Sequence, residues 1–120
     1  MNPIINRNLP VFVQICDYIR NGIFRGELPP DSQIPSVRQL ALELATNPNT
    51  VQKALLLLEQ DGLLYTKGTV GRFVTPDREL IAREKQKTKA DALREILQEA
   101  YARGVTRQEL LEYLQKEEVE

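Results

Sequence analysis

The 120-residue sequence has no histidine and a single cysteine, and none of its apolar runs approaches the length of a membrane span. Without histidine, neither a Ser-His-Asp nor a Cys-His nucleophile can be assembled, and no His-containing zinc site can form. Carboxylates are plentiful but make no recognisable motif with a base. The few glycines are spaced as turn formers, with no lysine after them to complete a phosphate-cradling loop. Catalysis is therefore not expected, and neither are a cofactor or a metal. One cysteine excludes an internal disulfide framework and agrees with a reducing cytosol. Cys16 lies inside a helical pattern and reads as a small core residue rather than a sensor. With no span and no signal-peptide pattern, a cytoplasmic location and no membrane partner are expected.

What is present centres on residues 34–58, IPSVRQLALELATNPNTVQKALLLL. Ser36 can N-cap a helix, with Gln39 three residues on to complete a capping box. Val37, Leu40, Ala41 and Leu44 then recur at i, i+3, i+4, i+7 as one buried stripe. Asn47 is a good N-cap for a second helix, and Pro48 falls at its first position, where proline costs no hydrogen bond. The second stripe is Val51, Ala54, Leu55 and Leu58. A helical wheel turns Asn49, Gln52 and Lys53 away from that stripe, where a helix-turn-helix recognition helix presents side chains to base edges. The alternative is a helix pair that is only a core motif.

The following residues favour a DNA reader. In GLLYTKGTVGRFVT, Gly62 ends the helix, and apolar Leu63–Tyr65 and Phe73–Val74 flank a turn containing Gly68 and Gly71. This predicts a β-hairpin with Lys67, Thr69 and Arg72 at its tip. A helix-turn-helix followed by a basic-tipped hairpin is a winged helix, whose wing reaches phosphates or the minor groove. An earlier helix opens at Pro10, with Phe12, Ile15, Cys16, Ile19 and Ile23 as its stripe and Gly26 as its stop. It supplies the third wall of the core, alongside Leu28 and Ile34. Residues 1–9 read as an irregular arm, and LPPDS as a turn.

At this point the run from Gly26 to Val74 resembles the winged-helix domain of the GntR family of bacterial transcription regulators. The shared features are the LPP approach, the IPSVRQLA start, the TV of the recognition helix, the LEQDGL ending and a glycine-bearing wing closed by FV. NPNTVQKA is especially similar to the YtrA branch, whose members are short. The resemblance implies that Arg38 reaches the DNA backbone or a guanine. It also implies that Asn47, Asn49 and Thr50 contact DNA at the start of the recognition helix, and that Gly68 and Thr69 enter the minor groove. A salt bridge to Glu43 is the alternative for Arg38, and capping or plain solvation for the others. Gln52 has the chemistry to read adenine in bidentate fashion, and Lys53 suits a phosphate. Pro48 stands where many other members carry a base-reading arginine, so their operator does not transfer. Leu56 and Leu57 depart from the charged residues usual in that branch, and an outward Leu56 calls for cover from the wing or the C-terminal helices. The lack of histidine also argues against the metal-binding effector domains of some other branches.

A net charge of −1 is unfriendly to DNA binding, since dedicated binders are usually basic. Residues 1–77 hold seven Lys/Arg and seven Asp/Glu, and residues 78–120 nine and ten. Distribution matters more than the sum. Arg38, Lys53, Lys67 and Arg72 fall on the expected docking side, and Asp17, Glu27, Asp31, Glu59 and Asp61 elsewhere. Affinity should be modest and salt-sensitive.

Beyond Thr75 the character changes. Residues 77–89 are densely charged and read as a solvated helix start. Leu93, Ile96, Leu97, Ala100 and Tyr101 then form an apolar face, ended by Gly104. Thr106 N-caps a last helix with Glu109 completing its box, and Leu110, Leu111, Tyr113 and Leu114 are expected to face inward. Two helices of this size fall near or below what folds unaided. A second copy would bury the stripes, as the resemblance implies; the alternative is that the hairpin folds back on its own winged helix. The fold expected is mainly α with a small β-hairpin: a winged helix-turn-helix over 1–76 and a two-helix dimerisation segment over 77–120. The dimer interface expected is Leu93, Ile96, Leu97, Ala100, Tyr101, Leu110 and Leu114.

The function expected is a sequence-specific, homodimeric DNA-binding regulator. It would act as a repressor on a two-fold symmetric double-stranded operator, with a transport-related operon implied by the resemblance. The competing reading is a winged helix used for protein–protein interaction, which neutral charge favours and the polar reading face does not. Two helices cannot enclose a ligand of several hundred Å³ within one subunit. Any small-molecule effector is therefore expected between subunits or domains, lined by Leu93, Leu97, Tyr101 and Tyr113. Otherwise the segment only dimerises.

Overall fold

A computed structural model describes residues 5–117; the first four positions of the expected arm lie outside the described residues. The element order is α1 (Val11–Phe24), α2 (Val37–Glu43), α3 (Pro48–Gln60), β1 (Leu64–Lys67), β2 (Gly71–Val74), α4 (Arg78–Ala102) and α5 (Arg107–Lys116). The fold is thus mainly helical with one antiparallel hairpin. It divides into two compact units, Met1–Arg83 and Glu84–Glu120.

In the first unit the sequence stripes converge on one core. Ile15, Cys16, Ile19 and Ile23 of α1 meet Leu40 of α2 and Val51, Ala54, Leu55 and Leu58 of α3, with Leu63, Leu64 and Val74 closing the hairpin side. All are nearly inaccessible to water. Burial raises the Cys16 thiol pKa, outweighing the nearby Arg20 guanidinium, so it stays a protonated apolar side chain. Arg20 also bonds Asp61 at 3.1 Å, pinning α1 to the end of α3.

β2 is bonded along both its edges. On one side it pairs with β1 in the register Tyr65↔Phe73 and Thr66↔Arg72. On the other it bridges to Gln33, with Ile34 N–H donating to Arg72 O at 3.0 Å and Val74 N–H to Ser32 O at 2.9 Å. The turn entering this segment places Asp31 at φ 63°, a left-handed conformation that aspartate tolerates better than most residues.

The start of α4 departs from expectation. Asp77 caps it by accepting from Leu80 N–H at 3.0 Å, and Leu80 and Ile81 pack half-buried on the winged-helix core. Gly62 makes room for Leu80: a Cβ there would lie 3.0 Å from Leu80 Cδ1. The charge around Leu80 and Ile81 disguised an apolar pair. Leu57 likewise packs against the core, whereas Leu56 remains 44% exposed.

In the second unit, α5 begins with the expected box: Thr106 Oγ1 accepts from Glu109 N–H at 3.1 Å, and Glu109 Oε1 accepts from Thr106 N–H at 2.9 Å. Neither α4 nor α5 buries a residue. The expectation that the α5 stripe faces inward is corrected for the single chain. Leu111, Tyr113 and Leu114 are exposed, with only Leu110 half-buried, because two helices offer too little surface to cover one another.

Candidate nucleic-acid interface

The recognition helix is α3. Asn47 Oδ1 accepts from Asn49 N–H at 2.8 Å, which satisfies a free helix-end donor, and Pro48 occupies the first turn. Asn47 is therefore already committed as a cap. With Val51, Ala54, Leu55 and Leu58 locked in the core, Asn49 and Lys53 are left exposed and Gln52 and Thr50 half-buried. Arg38, on the first turn of α2, is exposed as well. Neither Arg38 nor Lys53 makes an ion pair among the described residues, so the alternative Arg38–Glu43 bridge does not form.

The turn between α2 and α3 is held from outside the motif. Ala45 takes φ 48°, and Thr46 N–H donates back to Ala41 O at 3.0 Å. Arg7 Nη2 reaches the Ala45 carbonyl from the N-terminal arm, placing a cation at the carbonyl end of α2. The arm is in turn clasped by Gln14, whose Nε2 donates to Asn6 O and whose Oε1 accepts from Asn6 N–H, both at 2.8 Å. Sequence reasoning missed this contact, because the partners are 38 residues apart and an arginine in an irregular arm carries no pattern.

The wing is a hairpin whose loop is Gly68, Thr69 and Val70, all exposed. Lys67 ends β1 with its Nζ 5.6 Å from the Phe73 ring centroid, and the Phe73 ring stacks on Tyr65 at 5.7 Å. The Tyr65 hydroxyl bonds Asp31, which holds its proton and raises its pKa. Arg72 is not at the tip as expected. It stands in β2 opposite Thr66, with its Nε 2.8 Å from Glu59 Oε1. Glu59, placed away from the docking side by the sequence, lies beside it. The hairpin register decides this, and it could not be read from glycine spacing alone.

Between wing and helices lies an open groove of about 700 Å³, bordered by Ser36, Gln39, Gln52, Thr66, Val70 and Arg72. The α2 N-terminus and the wing form two sides of it, and Gln52 looks in from the recognition helix. Among the described residues, the only charged ones lining the groove are Arg72 and Glu43, and polar side chains make up much of the rest of its border, beside the exposed face of α3.

Two further features bear on assembly and regulation. A hollow of about 440 Å³ lies within the first unit, bordered by Tyr18, Leu28, Leu40 and Glu43 among others. The expectation that any effector binds between subunits or domains weighed only the C-terminal helices; this hollow lies against α1 and α2. In the second unit, Leu93, Ile96, Tyr101, Tyr113 and Leu114 stand open to solvent at 43–61%, with Leu97, Ala100 and Leu110 half-buried. No helix among the described residues is long and apolar enough to cross a membrane.

Comparison with known proteins agrees with this geometry. The chain is 32% identical to the uncharacterized HTH-type transcriptional regulator YhcF of Bacillus subtilis, over 86% of this chain and 85% of that protein. It is 29% identical to the HTH-type transcriptional repressor YtrA of the same organism, over 89% and 83%. Among solved structures, a GntR family transcriptional regulator from Listeria monocytogenes superposes with a TM-score of 0.83 at 26% identity, covering 94% of this chain and 99% of that one. Residues 12–74 match the family of bacterial regulatory proteins described as gntR, from the first helix to the last wing strand. With its winged helix-turn-helix, the chain belongs to the GntR family of DNA-binding transcription regulators, which are not enzymes.

Proposed function

We propose that the protein is a homodimeric repressor of the YtrA branch that reads a two-fold symmetric operator. The observation that carries the proposal is a pairing of opposites: a reading head with a closed core, and a helical segment whose apolar side chains are largely exposed among the described residues. A second copy of that segment would bury those side chains and bring two recognition helices to one duplex. Leu93, Ile96, Leu97, Ala100, Tyr101, Leu110 and Leu114 would form the interface, and residues 77–120 the dimerisation segment that follows a reading domain over 1–76.

Within each reading head, Asn49, Thr50 and Gln52 are assigned to base edges. Arg38, Lys53 and Lys67 are assigned to phosphates, Gly68 and Thr69 to the minor groove, and Asn47 to capping with a base contact at its edge. The similarity to YtrA supports the word repressor, and control of a transport-related operon is carried over from that branch. An effector, where one acts, would change the angle and spacing of the recognition helices. Half-site centres are about 34 Å apart for one helical turn, so small rotations break binding.

A mobility shift on a random-sequence DNA pool at low and moderate salt, followed by sequencing of the bound fraction, tests the reading. A palindromic consensus and a dimer by sedimentation are expected. Binding with no sequence preference, or no binding at low salt, would leave the protein-interaction reading in its place.

A further inference from the structure

Glu59 lies on the last turn of α3, and its Oε1 accepts from both strands of the wing. One donor is the Thr66 hydroxyl of β1 and the other is Arg72 Nε of β2. Thr66 and Arg72 are cross-strand partners, so one carboxylate oxygen ties the recognition helix to a single rung of the hairpin. The Arg72 and Glu59 side chains are only 17% and 24% exposed, while Thr66 closes the junction from the solvent side. A second tie holds the loop: Gln33 Nε2 donates to Val70 O at 2.9 Å. Gly71 permits that approach, since at φ 141° a Cβ would lie 2.6 Å from the same nitrogen.

We propose that Glu59 is a positioning residue for the wing, and that Arg72 serves DNA recognition by holding Glu59 rather than by reaching the nucleic acid. A hairpin of two four-residue strands is marginal by itself; its base is anchored by Leu64 and Val74 in the core and by the backbone bonds to residues 32–34. The Thr66–Glu59–Arg72 junction fixes the outer part of the hairpin to the recognition helix. It decides which phosphates and which minor-groove edge Lys67, Gly68 and Thr69 reach while α3 occupies the major groove. Charge gives a second reason for the pairing. A bare carboxylate at the foot of the wing would repel a DNA backbone lying along it, and the Arg72 guanidinium cancels that charge. The sequence separates the partners by 13 residues across a helix end and a turn, so the motifs that contain them do not show that they pair.

The inference rests on the DNA-binding reading, so the experiment has one arm that needs no DNA. Amide hydrogen exchange is compared for wild type, Glu59→Ala, Glu59→Gln and Thr66→Val, with thermal unfolding to verify that each is folded. Exchange in β1 and β2 should rise about tenfold in Glu59→Ala while α1 and α3 core amides keep their protection, and Glu59→Gln should recover part of the loss. The DNA arm uses a duplex selected from a random pool by the wild type, against a scrambled duplex. Glu59→Ala should lower the specific-to-scrambled affinity ratio about tenfold without weakening scrambled binding, since it frees a cation. Combined with Lys67→Ala its effect should be less than additive, and with Lys53→Ala additive. Unchanged wing exchange in Glu59→Ala overturns the proposal. So does an Arg72→Ala variant that loses scrambled binding while Glu59→Ala behaves as wild type, which would make Arg72 a direct phosphate contact. If the wild type selects no duplex, the DNA reading fails, and the exchange arm alone decides whether the junction holds the wing.

Discussion

α3 and the latter part of α4 carry apolar stripes of the same period, and the chain treats them in opposite ways. Val51, Ala54, Leu55 and Leu58 are all at 0% exposure, whereas Leu93 and Ile96, at equivalent places in the period, are 61% and 60% exposed. Composition does not separate the two stripes, since both are aliphatic. The difference is in supply of cover. α3 has α1, α2 and the wing around it, while the second unit is built of two helices alone among the described residues. An i, i+3, i+4, i+7 pattern thus states that a face needs covering and is silent on which chain provides the cover.

The largest effect expected is on assembly. Leu97→Asp would place an unpaired carboxylate in the proposed interface, where burying it costs several kcal/mol, and the dimer should give way to monomers. Sedimentation velocity checks this, and the α1–α3 core should stay folded by circular dichroism. An unchanged dimer would move the interface away from this stripe and blur the contrast between the two units.

Next comes a truncation made twice. Leu55→Ala removes a fully buried side chain and should destabilise the winged helix by about 2–5 kcal/mol. Leu93→Ala removes the same atoms from an exposed site. In a chain kept monomeric by dilution, its effect should stay within about 0.5 kcal/mol. Denaturant titration of both variants at low and high protein concentration makes the comparison. A concentration-independent loss in Leu93→Ala would mean that the stripe is covered within its own chain.

How far each region was legible follows from the same contrast. Contacts between near neighbours were readable: both capping boxes, the Asn47 cap with Pro48 behind it, and the three stripes of the winged-helix core. Contacts whose partner lies across the fold were not. Arg7 on the Ala45 carbonyl, Gln33 on the wing loop and Arg72 on Glu59 join elements whose mutual placement appears only once the core has formed. Charge and glycine spacing place Arg72 at the tip, and only the strand register puts it beside a carboxylate. Leu80 and Ile81 were lost to a charge-rich background in which two apolar residues form no period.

Within the reading head a smaller effect separates two adjacent side chains of α3. Gln52→Ala should cost about 1–3 kcal/mol on the selected site and relax preference at one base pair per half-site. Lys53→Ala should weaken all sequences alike and flatten the salt dependence. Competition binding across single-base variants of the site distinguishes them. An intact preference in Gln52→Ala would remove that residue from base reading.

The smallest effect compares two capping boxes of the same design, one in each unit. In α2, Ser36 accepts from Gln39 N–H at 3.1 Å and Gln39 Oε1 accepts from Ser36 N–H at 2.8 Å. In α5, Thr106 and Glu109 repeat the arrangement with a carboxylate in place of the amide. Glutamine does not titrate, so the α2 box is indifferent to acid. Glu109 does, and the Thr106 backbone N–H, then the Thr106 hydroxyl, holds its pKa below the ordinary glutamate range. A folded-state pKa below the unfolded one means the cap contributes fully above the ordinary range. That contribution is lost as pH falls through the lowered value. Acid should therefore fray the start of α5 while leaving the start of α2 intact, and Glu109→Gln should abolish the difference. The effect is small because the carboxylate is fully exposed and water competes for it. Amide chemical shifts of Thr106 and Glu109, followed by NMR through the acid range beside those of Ser36 and Gln39, read it directly. An ordinary glutamate titration at Glu109, or parallel shifts at both boxes, would show that the carboxylate gives α5 no pH dependence of its own.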